Sequence, residues 1–195
     1  MSTAEQLSTE QRFLLRGADW QTYQSMLKTV GDRPIRVTYD RGSLEITSPS
    51  VLHERLKKLL DRLLLVLSEE LEIPLRSQGS ATFNKESLDR GLEPDECHYI
   101  QNESKIRGRD DVDLSVDPPP DLAVEIDITS SSINRLEIYA ALGVPEVWRY
   151  DGNVLQVYVL GSDGSYNAVN HSIAFPSIPL EIITDHSLAA MKRTS

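Results

Sequence analysis

The stretch PPDLAVEIDIT, residues 119–129, predicts a β-strand whose two faces differ in character. Because successive side chains of a strand point to opposite faces, one face is apolar, with Leu122, Val124, Ile126 and Ile128. The other face carries Asp121, Ala123, Glu125 and Asp127. Like charges this close repel one another, and burying an unpaired carboxylate is costly. The pattern therefore indicates that a cation lies beside this strand.

Length and composition favour one compact domain. The chain has 195 residues, of which 39% are hydrophobic, so we expect a single domain over residues 1–195 with its core at about 35–160. The N-terminal residues are polar, and the most apolar run, LLDRLLLVL at 59–67, is interrupted by Asp61 and Arg62. We therefore expect a soluble, cytoplasmic protein with no membrane-spanning segment.

Cysteine content and net charge exclude some kinds of site. A single cysteine, Cys97, excludes an internal disulfide framework and a cysteine-rich zinc site. Lys and Arg total 20 against 30 Asp and Glu, and the resulting net charge of −10 opposes non-specific attraction to nucleic acid. A nucleic-acid function would therefore depend on local basic residues.

The first half of the chain predicts two helices with a hairpin between them. Asp19 as an N-cap and Gly31 as a stop predict a helix over the residues that they enclose. Alternating residues on both sides of Asp40-Arg41-Gly42 predict a β-hairpin. Leucines at helical spacing after Ser50 predict a long amphipathic helix.

The second half predicts strands on both sides of one more helix. We expect strands at 75–84 and 94–100, loops at 85–93 and 102–120, and a helix in SSSINRLEIYAALG, residues 130–143, with serine caps at its start. A hairpin through Asp151-Gly152-Asn153, a turn at Ser162-Asp163-Gly164 and a short helix at 186–193 follow. This order predicts an α/β (α+β) protein in which helices flank a central mixed β-sheet with added β-hairpins.

Two carboxylates on separate predicted strands could share a metal ion. Asp95 lies on the same strand face as Cys97 and Tyr99, and Glu125 lies on the acidic face described above. Hard divalent cations such as Mg²⁺ prefer oxygen ligands and keep several waters, so two or three carboxylates are enough. Hydrolysis of a phosphodiester is the chemistry that such a site favours.

Four segments, in this order, make the chain similar to a known family. They are LEITSPSVLHERL, EPDECHYI, PPDLAVEID and LEIYAALGVPEVWRYDG. From about Tyr39 to Tyr158 the sequence resembles the Uma-type putative restriction endonucleases of the PD-(D/E)XK nuclease superfamily. The resemblance implies a restriction-endonuclease-like core, a DNA substrate, and Mg²⁺, or Mn²⁺ in its place, as the cofactor.

The resemblance also implies roles for particular residues. Asp95 and Glu125 would bind the metal, and His53 would position water or substrate. The superfamily has a lysine where this chain has Asp127, and family members supply a lysine from the following helix, where this chain has Arg135. Because an arginine stays charged, Arg135 could stabilise charge but not abstract a proton, which leaves Asp127 to assist the attacking water.

Each of these residues also has a structural alternative. Asp121, which follows three prolines, is more easily explained by hydrogen bonds to the loop than by metal binding. Asp127 could form an ion pair with Arg135 or another cation. His53, in the first turn of the long helix, could serve packing or capping alone.

Two hypotheses follow from the sequence. The first is a metal-dependent endonuclease that hydrolyses DNA, with a homodimer in which the hairpins around Asp40 and Gly152 are candidate contacts. The second is a catalytically degraded nuclease fold that binds protein or nucleic acid without cutting, because Arg135 stands in place of lysine and the surface is acidic.

Overall fold

The computed structural model describes residues 10–109 and 112–179 of the chain, which form two β-sheets and four α-helices and confirm the predicted α/β class. The helices are α1 (Trp20–Val30), α2 (Val51–Glu70), α3 (Glu103–Ile106) and α4 (Arg135–Leu142), and a 3₁₀ turn covers Glu86–Leu88. The strands are β1 (Gln11–Arg16), β2 (Arg36–Asp40), β3 (Ser43–Ser48), β4 (Arg76–Gly79), β5 (Phe83–Lys85), β6 (Arg90–Leu92), β7 (Glu96–Tyr99), β8 (Leu122–Ile126), β9 (Glu146–Tyr150), β10 (Leu155–Leu160) and β11 (Tyr166–Val169).

The larger sheet is mixed, as predicted. Its strand order is β11-β10-β9-β8-β7-β4, and β8 and β9 are parallel whereas the other neighbours are antiparallel. Helix α4 connects β8 to β9, as a parallel pair requires a crossover. The acidic strand, β8, thus lies inside the sheet with β7 on one side and β9 on the other.

The smaller sheet contains the predicted first hairpin. Its order is β1-β3-β2-β6-β5, and every pair is antiparallel. At the β2–β3 turn Arg41 and Gly42 both have positive φ, 43° and 90°, which suits a tight hairpin whose twist matches that of its strands. The turn fixes the register of β3 against β2 and, through β3, that of β1.

The two faces of β8 pack as the alternation predicts. Leu122, Val124 and Ile126 lie in an apolar core with Leu60 of α2 and Trp148 of β9. Ala123, on the other face, packs in a second core with Cys97 and with residues of α4 and of the smaller sheet, namely Ile138, Phe83 and Leu92. Glu125, the acidic residue within β8, therefore faces α4, at the junction of the two sheets.

The long helix begins where the sequence predicts. Ser50 accepts a hydrogen bond of 3.1 Å from the backbone N–H of His53, which satisfies one of the free donors of the first turn. The cap directs the side chain of His53 inward, and this residue is only 2% exposed.

Several expectations about local structure are wrong. Strand β1 lies where no strand is predicted. The predicted strand at 75–84 is two strands in different sheets, because Gly79 (φ 62°) and a register shift end β4. The predicted loops at 85–93 and 102–120 contain β6 and α3, respectively. The serines before α4 do not cap it, since they bind a glutamate of β3 instead.

The structure confirms the second predicted hairpin and the turn that follows it. The hairpin through 151–153 joins β9 to β10, as predicted, and the turn at 162–164 joins β10 to β11. The helix predicted at 186–193 lies outside the described residues. Among the helices that the structure describes, none is both long and apolar enough to cross a membrane.

Candidate active site

Asp95, the residue just before β7, lies opposite Glu125 of β8. Glu96 pairs with Val124 and Cys97 with Ala123, so the same register places Asp95 opposite Glu125. Residues directly opposite in an antiparallel pair point to the same face, with Cβ atoms about 4.5–5.5 Å apart. Both carboxylates are almost fully buried, Asp95 at 2% and Glu125 at 6% exposure.

Asp95 is held on both of its oxygens. Oδ1 accepts a 2.8 Å hydrogen bond from His53 Nε2 and lies 2.9 Å from Arg36 Nε, an ion pair without hydrogen-bond alignment. Oδ2 accepts a 2.7 Å hydrogen bond from the backbone N–H of Ile126. Burial would raise the pKa of Asp95, but the hydrogen bond and charge of His53, with the charges of Arg36 and Arg135, lower it below its ordinary value.

His53 lies between two carboxylates. Its Nε2 contacts Asp95, and its Nδ1 lies 2.8 Å from Glu10 Oε2. Burial would lower the pKa of His53, but the hydrogen bonds to Asp95 and Glu10 outweigh burial and raise this pKa to about 9. At neutral pH the imidazole is therefore charged and donates from both nitrogens.

Glu125 is bound by two residues of α4. Arg135 Nη2 donates to Oε1 at 2.7 Å, and the Tyr139 hydroxyl donates to the same oxygen. Burial raises the pKa of Glu125, the charge of Asp95 raises it further, and Arg135 and Tyr139 only partly offset these effects. The acid is thus buried beside a like charge and depends on Arg135 to stay ionised.

Arg135 has two further anchors besides Glu125. Nη1 donates to Thr38 Oγ1 at 2.9 Å, and Nη2 donates to the carbonyl oxygen of Glu93 at 2.7 Å. Burial would lower the pKa of Arg135, but the charge of Glu125 raises it. The guanidinium that replaces the family's lysine is therefore fixed against β2 and the acidic pair at once.

Asp127 forms an ion pair, which the sequence left open, and Asp121 forms hydrogen bonds to a loop, which the sequence favoured. Asp127 binds the guanidinium of Arg149, not that of Arg135. Asp121 accepts hydrogen bonds from the backbone N–H of Ile100 and from the N–H groups of Asn102, so it orders the loop after β7, as predicted. Asp121 thus lies apart from the pair formed by Asp95 and Glu125.

A cavity of about 350 Å³ opens beside Glu125. Asp127, Arg135 and Arg149 line it together with the segment 130–132 that leads into α4. A second cavity, of about 530 Å³, lies on the other side of the pair and is lined by Arg36, among other residues. Glu125 is thus accessible from the α4 side, where it lines the wall, whereas Asp95 lines neither of these two cavities.

The donor set fits a hard divalent cation. Asp95 Oδ2 accepts one hydrogen bond, and Glu125 Oε2 accepts none from the described residues. No group of three or more His, Cys, Asp or Glu side chains in those residues is arranged to hold a metal ion. Two carboxylate oxygens completed by waters suit Mg²⁺, which rarely requires a cage built from protein alone.

Comparison with known families identifies the chain's relatives. The sequence profile of the family described as "Uma2: Putative restriction endonuclease" matches residues 20–189. The chain belongs to the Uma2 family. A search of curated proteins finds no match. Membership in Uma2 suggests a nuclease function, and all five residues assigned from the resemblance lie within the matched segment.

Sequence reasoning missed a second group of site residues, part of which lies before the Uma2 match. Arg12 of β1 joins two buried carboxylates: its Nε lies 2.8 Å from Glu10 Oε1, and its Nη1 lies 3.0 Å from Glu45 Oε1. Glu45 also accepts from the Ser131 hydroxyl at 2.7 Å and the Ser132 backbone N–H at 2.8 Å. This group fixes the segment between Glu125 and Arg135. A glutamate between Leu44 and Ile46 on a predicted strand was the available signal.

Proposed function

We propose that this Uma2-family protein is a divalent-cation-dependent endonuclease that hydrolyses DNA phosphodiester bonds. The observation that carries the proposal is the pair of buried carboxylates, Asp95 and Glu125, of which Glu125 lines the wall of an open cavity. Asp95 and Glu125 would hold Mg²⁺ or Mn²⁺. A cation bound there would polarise the phosphoryl oxygen and favour ionisation of the attacking water.

The proposed roles of the other residues follow from their charge states. His53 is protonated at neutral pH and donates to Asp95 and Glu10, so it orients Asp95 rather than accepting a proton. Arg135 stays charged, and its terminal nitrogens are committed to Thr38, Glu93 and Glu125. It therefore acts on the negative charge that develops on the phosphoryl group through its electric field, without a direct contact. Asp127 lines the cavity with its side chain 21% exposed, and it is the carboxylate that we assign to accept a proton from water.

A plasmid-nicking assay tests the proposal. We expect the wild type to nick supercoiled DNA with Mg²⁺ or Mn²⁺ and to stop when EDTA is added. Asp95→Asn and Glu125→Gln should each slow nicking by about a hundredfold or more, the order expected when an electrostatic contributor to the transition state is lost. Glu69→Gln, an exposed change on α2, is the matched control and should keep the wild-type rate. Undiminished nicking by both site variants would exclude the proposed site.

A second candidate function is binding without cleavage. It is supported by Arg135, whose guanidinium already neutralises Glu125 and has two more anchors. Calorimetric titration of Mg²⁺ and Mn²⁺ into the wild type and Glu125→Gln, together with the nicking assay, separates the two candidates. Heat and nicking that vanish together in Glu125→Gln favour the nuclease. DNA binding without metal uptake or cleavage favours the binding module.

A homodimer is part of the nuclease proposal, because cutting both strands of a duplex requires two sites related by symmetry. The β2–β3 turn around Asp40 and the β9–β10 turn around Gly152 are the proposed contacts. Sedimentation equilibrium gives the mass in solution, and a monomer at assay concentration with full duplex cleavage would remove the dimer from the proposal.

A further inference from the structure

The cavity beside Glu125 is lined by three arginines, which makes it suited to an anion. Arg12, Arg135 and Arg149 come from β1, α4 and β9, and they meet at the wall that Glu125 and Asp127 also line. Guanidinium groups bind phosphate through paired hydrogen bonds from their planar fork. Which of the three arginines can bind a ligand depends on how many of its guanidinium N–H donors are not already bonded within the protein.

Arg12 and Arg135 have their donors committed within the protein. All three guanidinium nitrogens of Arg12 contact Glu10, Glu45 or the Thr129 hydroxyl. The two terminal nitrogens of Arg135 donate to Thr38, Glu93 and Glu125, and its Nε is buried without a partner. Neither guanidinium can bind a phosphate without breaking contacts that hold the site.

Arg149 retains free donors. Its Nη2 binds Asp127, which is the one hydrogen-bond or ion-pair partner of this side chain among the described residues, so Nε and Nη1 remain available. The side chain is 36% exposed, compared with 16% for Arg12 and 13% for Arg135. The guanidinium carbon also lies 5.9 Å from the centre of the Tyr158 ring, a distance at which the ring attracts the cation. The fork is thus held in place on one side and open to solvent on the other.

The position of Arg149 relates it to the carboxylate pair. In the parallel register of β8 and β9, Arg149 is the partner of Glu125. Its contact with Asp127 places the guanidinium beyond Glu125 along the wall of the cavity. A nucleic-acid strand with one phosphate at Glu125 would therefore bring a neighbouring phosphate to Arg149.

We propose that Arg149 binds the backbone phosphate next to the one that is hydrolysed, and so sets where the strand lies in the cavity. The inference rests on the proposed function for the identity of the ligand. The contact needs no divalent cation, because the guanidinium supplies the charge. Arg149 is thus a substrate-binding residue outside the set that the family resemblance assigns.

The test is DNA binding without cleavage. Fluorescence anisotropy with a labelled single-stranded oligonucleotide, in EDTA and over a range of salt concentrations, compares the wild type with Arg149→Gln. We expect Arg149→Gln to weaken binding about tenfold, the factor for one charge-assisted contact, and to reduce the slope of log K against log[salt] by about 0.7. Arg149→Lys should keep the slope and recover only part of the affinity, because lysine keeps the charge without the fork.

Arg62→Gln is the matched control, since it makes the same charge change at an exposed position on α2. It should bind like the wild type. Equal affinity and equal slope for Arg149→Gln and Arg62→Gln would overturn the inference and leave the nuclease proposal intact. Nicking that survives in Asp95→Asn and Glu125→Gln would overturn the nuclease proposal while the Arg149 result stands. A wild type that binds no oligonucleotide in EDTA at low salt would overturn the Arg149 inference, and the nicking assay with Mg²⁺ would then decide the nuclease proposal by itself.

Discussion

Replacing Arg135 by methionine should destabilise the protein in a way that depends on pH. The variant keeps a long apolar side chain but leaves Glu125, 6% exposed, with Tyr139 as its remaining donor and Asp95 as a like charge opposite. Glu125 can then avoid a buried charge by taking up a proton. From an ordinary pKa of 4.5, that protonation costs about 3.4 kcal/mol at pH 7 and about 0.7 kcal/mol at pH 5. These figures are upper limits for the effect of the substitution, because the wild type already holds the pKa of Glu125 above 4.5.

The lost hydrogen bonds to Thr38 and to the Glu93 carbonyl add about 1 kcal/mol or slightly more, and they do so at both pH values. We therefore expect a loss of up to about 4 kcal/mol at pH 7 and up to about 2 kcal/mol at pH 5. The sign follows from linkage: a carboxyl group whose folded pKa lies above its unfolded pKa contributes stability at low pH that is lost as the pH rises.

Urea unfolding in EDTA, followed by tryptophan fluorescence, measures these losses for Arg135→Met and for Arg135→Met combined with Glu125→Gln. The double variant should lose about 2 kcal/mol at both pH values, because glutamine has no charge to bury. Arg62→Met, on the exposed face of α2, should change stability by less than about 0.5 kcal/mol. A loss for Arg135→Met that is the same at pH 5 and pH 7 would refute the argument that Arg135 keeps Glu125 ionised.

Two further predictions concern the metal and a buried histidine. Arg135→Lys should bind Mg²⁺ about tenfold more tightly than the wild type in calorimetric titration. Lysine cannot make all the hydrogen bonds of the guanidinium, so it should compete less with the cation for Glu125. Unchanged affinity would show that Arg135 does not compete with the cation. His98 is fully buried, and burial lowers its pKa from 6.5 to about 4, so the stability that it contributes above pH 6.5 is lost as the pH falls toward 4. His98→Leu should therefore be about 2 kcal/mol more stable relative to the wild type at pH 5 than at pH 8, and a parallel pH dependence of the two proteins in urea unfolding would contradict this.

The parts of the fold that the sequence predicted are those with local signals. Each of these signals acts within about ten residues of chain. They are the alternation in β8, the leucine spacing and serine cap of α2, and the turn residues of two hairpins. The pairing of Asp95 with Glu125 could also be anticipated, because both lie on predicted strands and share a motif. Strands β5 and β6, with three residues each, are too short for periodicity to appear.

The residues that sequence reasoning missed are those whose partners are distant in the chain. Arg12 contacts Glu45 because β1 pairs with β3, and Arg149 contacts Asp127 because β9 runs parallel to β8. Such contacts depend on the pairing of strands that no tight turn connects, and a local sequence pattern does not encode that pairing. The serines before α4 show how a distant partner can replace a local one. They suit an N-cap, but the Ser131 hydroxyl and the Ser132 N–H donate instead to the buried carboxylate of Glu45 in β3.

The charges around Asp95 and Glu125 couple the binding of the cation to the binding of the substrate. Asp95 is matched by Arg36 and by protonated His53, and Glu125 is matched by Arg135, so a divalent cation entering alone would bring excess positive charge into a buried site. A phosphodiester brings the opposite charge, and a cation that enters with it meets less repulsion. Binding of cation and nucleic acid should therefore be mutually favourable, and by reciprocity each raises the affinity for the other. Weak uptake of Mg²⁺ by the free protein is thus compatible with a nuclease, whereas weak uptake with DNA already bound is what a non-cleaving module would show.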